Sequence, residues 1–264
     1  MVLRSGRRWL SSSANTSGPV PHAVKKFYKR VSIKEMEKGY GIELDGRLLK
    51  TPGRNNIKIP SKSLGLGIAA EWDSQNEFIV PSAMPLMSLT ATAIDQVLVE
   101  KDFVLDNICK YLNTDTACFL ASEADEPRLH QLQLQYFIPL LDWFEMTYHL
   151  RLKPGFGILH KPSTNSLQDM HSLQSQLQSW SHWDLAALQC VTQECKSLVI
   201  ALAFLHNYID TKYAQTAARL EENAQIDRWG FVEGAHDYDV TRIQFRLASA
   251  SLFSDFIREE EGNL

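Results

Sequence analysis

The sequence predicts an α+β fold, with an N-terminal antiparallel β-rich domain followed by a C-terminal helical domain arranged as an orthogonal bundle. Two observations carry this. Between Phe27 and Pro60 the short runs FYKRVSI, GYGIEL, RLLKT and NIKIP alternate with charged or glycine-bearing breaks, as short strands do. From Ser61 onward apolar residues recur at helical spacing, and Pro and Gly clusters separate one helical run from the next.

Taken in order, Asp45-Gly46 lies between apolar runs and predicts a type I′ hairpin, because both positions must take positive φ. Ser61 offers an N-cap to KSLGLGIAAEWDSQ, whose Leu64, Ile68 and Trp72 share one face. Pro81 and Pro85 bracket a connection into the helical stretch LMSLTATAIDQVLVEKDFVLDNICKYL. PRLHQLQLQYFIPLLDWFEMTYHL places Leu129, Leu132, Tyr136, Leu140 and Phe144 on one side, and Pro139 is expected to kink or split it. Pro154 and Pro162 punctuate the chain after it.

HWDLAALQCVTQECKSLVIALAFLHNYI reads as one central helix, apolar all round toward its end. TKYAQTAARLEENAQIDRW reads as a helix stopped by Gly230, and VTRIQFRLASASLFSDFI as a helix capped by Asp239. The expected division is residues 1–22 as a leader, 23–84 as the β-rich domain with one helix, and 85–264 as the helical domain.

A hydrophobic share of 44% with 22% charged residues excludes wholesale disorder. The formal charge of −4 hides an asymmetry, since Arg4, Arg7, Arg8, Lys25, Lys26, Lys29, Arg30 and Lys34 all precede the first acid, Glu35. The body is therefore acidic, which argues against nucleic acid as a partner. The opening MVLRSGRRWLSSSANTSG is rich in Arg and Ser, lacks acids and has no long apolar run, so it reads as a mitochondrial transit peptide rather than a secretory signal. A basic tail with no address is the alternative. Arg8-Trp9-Leu10-Ser11 resembles a matrix-processing site.

Four cysteines without a C-x-x-C pair indicate buried thiols rather than disulfides or zinc. The longest apolar run, Leu198 to Leu205, is far short of the ~20 residues that span a bilayer, so no membrane insertion is expected. Gly65-Leu66-Gly67-Ile68-Ala69-Ala70 fits the letters of a dinucleotide fingerprint, yet it lacks the buried strand before it. Two small residues that let a helix pack closely explain it better. Cys190, Cys195, His182 and His206 point in different directions on one continuous helix, which disfavours a metal site. No P-loop, H-E-x-x-H or G-x-S-x-G occurs. No cofactor and no catalytic residue is assigned.

QIDRWGFVEGAHDYD, from Gln225 to Asp239, concentrates the residue types of an active site. Three readings compete. Glu233, His236 and Asp237 form the acid and base cluster of a matrix enzyme; or Asp237 and Asp239 merely cap the last helix; or the stretch grips a partner through Arg228 and Trp229, residue types that concentrate interface energy.

Four motifs in one order, GIELDGRLLKTP, AAEWDSQ, PLMSLTATAID and RLEENAQIDRWGFVEGAHD followed by Arg242, resemble the ATP-twelve family, also called F(1) complex assembly factor 2. The similarity runs from about Phe27 to Ile257. It implies a non-enzymatic chaperone of the mitochondrial matrix that binds the unassembled alpha subunit of F-type ATP synthase and shields its beta-facing surface. By position, the resemblance puts partner-binding roles on Glu222, Arg228, Trp229, Glu233, His236, Asp237 and Arg242, and makes Trp72 a structural anchor. A monomer when free is expected, and further assembly factors stay open as partners. Gly65 and Gly67 depart from the family pattern, which usually has small helix formers there; each costs about 0.5 to 1 kcal/mol relative to Ala in a helix.

Overall fold

The computed structural model describes residues 24–157 and 167–261. The expected transit peptide and the punctuation at Pro162 lie outside the described residues. β1 (Val31–Met36) pairs antiparallel with β2 (Gly39–Leu44), and β3 (Arg47–Leu48) adds to β2 through Leu44 and Arg47. Asp45 and Gly46 take φ of 49° and 77°, as the hairpin requires. The Asp45 carboxylate also accepts the backbone N–H groups of Lys29 and Arg30, at 3.1 and 2.8 Å. NIKIP does not become a strand. It makes two isolated bridges, Lys50 to Asn56 and Tyr40 to Ile59, because Pro60 and the turn around Pro52-Gly53 confine the pairing, and proline cannot donate to a ladder.

α1 (Lys62–Asp73) begins as expected, with Ser61 Oγ accepting from the Leu64 N–H at 3.3 Å. It buries Leu64, Ile68 and Trp72. The helix lies between the β1–β2 hairpin and two later helices, α2 (Pro85–Thr92) and α10 (His236–Glu261). Gly67 makes the close approach, since a Cβ there would stand 2.7 Å from Leu86 Cδ1. A π-helical turn, Ala93–Val97, leads from α2 toward α3 (Lys101–Cys109).

Two carboxylates stitch these elements together. Asp95, in the π-helical turn, accepts from Thr51 Oγ1 at 2.6 Å, the Gly53 N–H at 2.8 Å and Asn55 Nδ2 at 2.8 Å. Glu71 on α1 accepts the first free N–H groups of α2, Leu86 at 2.7 Å and Met87 at 2.8 Å. Burial nevertheless pushes the Glu71 carboxyl up to about 7, against the pull of those two donors. A carboxyl raised in the folded state stabilises the fold fully below the ordinary carboxylate range and loses that contribution as pH rises through about 7. The melting temperature should therefore fall more between about pH 5 and about pH 8 in the wild type than in Glu71→Gln. Parallel curves would contradict this origin.

The helical part continues with β4 (Phe119–Leu120), α4 (Pro127–Tyr148) and β5 (Gly155–Phe156), the two short strands pairing in parallel. α4 runs unbroken through Pro139, so the expected split does not occur. Its buried side carries Leu129, Phe137, Leu140, Leu141 and Phe144, while Leu132 and Tyr136 are half-buried. The apolar stripe is thus rotated toward Phe137.

α5 (Leu167–Leu177) precedes what the sequence presented as one central helix, and the structure corrects that reading to two, α6 (His182–Cys195) and α7 (Leu198–Leu205). Lys196 turns left-handed, with φ of 52°, and Ser197 Oγ caps the Ile200 N–H at 3.0 Å. The break is enforced by Asp115. This wholly buried side chain accepts from Ser197 Oγ at 2.6 Å, and from the N–H groups of Leu198 at 2.7 Å, Val199 at 3.1 Å and Ala117 at 3.0 Å. α7 is buried on every side, as its composition requires.

The next stretch also divides, into α8 (Thr211–Ala218) and α9 (Leu220–Trp229), around the buried Arg219. Gly230, with φ of 91°, ends α9 as expected. α10 starts at His236, so Asp239 falls inside its first turn and is not the cap. His236 Nδ1 accepts the Val232 N–H and Asp237 Oδ2 the Gly234 N–H, both at 3.0 Å, which starts the helix earlier than its apolar periodicity does. α10 packs on α6, and among the described residues the buried apolar side chains other than Leu120 form one cluster.

Candidate partner-binding site at the α9–α10 junction

The QIDRWGFVEGAHDYD stretch is the end of α9, a short loop and the start of α10. Four apolar side chains stand out from it: Trp229 is 72% exposed, Tyr238 66%, Val232 57% and Phe231 51%. Arg228 reaches back over the Trp229 ring, 5.6 Å from its centroid, and pairs with Glu126 at 2.9 Å. Glu233 lies at the tip of the loop, exposed, with no hydrogen bond or ion pair to another described residue. Apolar anchors beside unpaired charge are the features of a surface that binds protein.

The junction gathers Arg228, Trp229, Glu233, His236 and Asp237. It does not gather the other two sequence candidates. Glu222 sits nearly two turns back on α9 and pairs with Lys196 at 3.3 Å. Arg242 faces α6, where it and Arg246 meet Glu194 at 3.2 and 3.8 Å. Trp72, the suggested anchor, is remote from the junction and buried edge-on against Tyr28, with ring centroids 5.6 Å apart.

The acid and base arrangement fails on geometry. His236 packs edge-on against Phe231, and because its Nδ1 accepts a backbone N–H, the ring proton belongs on Nε2. Neither Glu233 nor Asp237 hydrogen-bonds the ring, and the Asp237 carboxylate is occupied by the Gly234 N–H. Among the described residues no group of three or more His, Cys, Asp or Glu is placed to hold a metal ion. No helix among them is long and apolar enough to cross a membrane. Cys109, Cys118 and Cys195 are buried and Cys190 half-buried, all as free thiols.

A feature that sequence reading missed adjoins the junction. The β4–β5 ribbon, the start of α4 and the outer side of α9 enclose a cleft of about 520 Å³. Its residues come from segments about a hundred positions apart, so no local motif announces it.

Residues 25–145 match the family described as ATP12 chaperone protein. The mitochondrial atp12 protein of Schizosaccharomyces pombe is 30% identical over 260 residues, covering 94% of this chain and 88% of that protein. Mitochondrial ATP12 of Saccharomyces cerevisiae is 27% identical over 269 residues, covering 86% and 83%. Among solved structures, Atp12 from Paracoccus denitrificans superposes with a TM-score of 0.75 at 30% identity, over 89% of this chain and 97% of that one. The Atu1473 protein of Agrobacterium tumefaciens gives 0.79 at 27% identity, over 90% and 92%. A small antiparallel sheet followed by helices is their common architecture with this chain. On sequence and fold together, the chain belongs to the ATP12 chaperone family, and it is a chaperone rather than an enzyme.

Proposed function

We propose that this protein is an assembly chaperone of mitochondrial ATP synthase, and that it binds the unassembled alpha subunit of F(1) in the matrix. It shields the surface that alpha later offers to beta. The observation that carries the choice of site is the exposed set Trp229, Phe231, Val232 and Tyr238 around Glu233, which is exposed and pairs with no other described residue.

An isolated alpha subunit exposes a large interface, and such patches drive aggregation. A chaperone for it must bind and then release. A few aromatic anchors in a charged rim suit that task, since charge complementarity speeds and selects encounter while affinity stays finite. The mitochondrial names of the relatives and the basic, acid-free leader support the matrix location. We read Arg228, Trp229, Glu233, His236 and Asp237 as the contact surface, with Glu222 and Arg242 fixing the helices that carry it.

Glu233→Lys tests this. The residue is exposed at the loop tip, so the melting temperature should stay within about 1 °C, the change expected of a surface substitution. Co-expressed alpha subunit should nevertheless lose much of its soluble complex with the chain on size-exclusion chromatography. An unfolded variant, or a complex of unchanged yield, would contradict the assignment of Glu233.

A further inference from the structure

We propose that the cleft beside α9 is a socket for a lysine- or arginine-bearing segment of the partner chain. For the identity of that partner this rests on the alpha-subunit reading above. The walls are apolar, with Leu129 buried at the base, Phe119 exposed on the β4 side and Trp229 on the rim. The charged lining is three acids, Asp125, Glu126 and Glu221, against one base, Arg228, so the cleft is net negative.

Of these acids only Glu126 is paired with a cation among the described residues, and that cation is Arg228. Asp125 and Glu221 make no side-chain hydrogen bond or ion pair with any other described residue. The Glu221 carboxyl is raised above its ordinary range, first by desolvation and then by the nearby charge of Glu222; Lys196 opposes the rise and Glu126 adds to it. Like charges held at an apolar cleft disfavour phosphate or any other anion. They favour a ligand that is apolar along its length and positive at its end, which describes a Lys or Arg side chain. Its stem would lie along Leu129 and the Trp229 ring, and its charge among Asp125, Glu126 and Glu221. The occupant is a protein segment because the cleft shares Trp229 with the exposed α9–α10 patch, so one partner can cover both.

The test uses the full chain and two labelled peptides, one alternating Arg with Leu and one alternating Asp with Leu, with binding followed by fluorescence anisotropy. The Arg peptide should bind and the Asp peptide should not, and high salt should weaken the binding. Asp125→Asn with Glu221→Gln should weaken it about five- to tenfold, the loss expected for two partly exposed charge pairs. Glu221→Lys alone should weaken it as well, and melting curves establish that each variant is folded. Failure of the Arg peptide to bind, or equal binding by the folded variants, would overturn the socket. Size-exclusion chromatography with the alpha subunit separates the two ideas. An alpha complex without peptide binding removes the socket and leaves the chaperone reading, and peptide binding without an alpha complex does the reverse.

Discussion

Asp115→Ala is expected to cost about 3 to 5 kcal/mol of stability, the range for removing one partner of a buried charged network. The carboxylate is wholly buried and receives four hydrogen bonds, three from backbone N–H groups and one from Ser197 Oγ. Burial raises its pKa while the donors oppose the rise, and since all four aim at its two oxygens, the ionised form satisfies them best. Alanine leaves the Leu198 and Val199 N–H groups unpaired at the start of the most buried helix of the fold. For a chain of this size the melting temperature should drop by roughly 10 °C. Ser197→Ala removes one of these bonds and the α7 cap, and should cost only ~1 kcal/mol. A double-mutant cycle should show strong coupling between the two positions; additive losses would mean that Asp115 does not hold the α6–α7 break.

Trp72→Arg is expected to destabilise by a similar ~3 to 5 kcal/mol, for a different reason. The indole is buried against Tyr28, so an arginine there carries its charge into the apolar core. The Tyr28 hydroxyl donates to the Trp72 carbonyl at 2.6 Å, so displacing the helix backbone also loosens the N-terminal segment. Trp72 Nε1 has no hydrogen-bond partner among the described residues, so Trp72→Phe loses mainly packing and should be milder by about 2 kcal/mol. Thermal unfolding of both variants measures this. Equal losses would show that volume, and not the buried charge, dominates at this position.

The β unit was legible because its information is local. Asp45-Gly46 needs positive φ at two adjacent residues, and Ser61 sits directly before its helix, so each signal and its effect lie within a few positions. The broken helices were illegible for the opposite reason. Nothing in the apolar spacing of TQECKSLV around Lys196-Ser197 marks a break, because its cause is Asp115, some eighty residues earlier. The early start of α10 was missed because His236 and Asp237 act through side-chain bonds to loop N–H groups rather than through apolar periodicity. At the junction, composition drew attention to Trp229, Glu233 and His236. It could not tell that Glu222 and Arg242 turn toward Lys196 and Glu194. The acidic cleft left no trace in the sequence, since Phe119, Glu126 and Glu221 meet only through the tertiary fold.

Amide hydrogen exchange on the full chain, alone and in complex with the alpha subunit, tests the proposed site most directly. Binding through the α9–α10 junction should slow exchange from about Leu220 to Tyr238 and leave β1, β2 and β3 unchanged. Protection confined to the β unit, with the junction exchanging as freely as before, would contradict it.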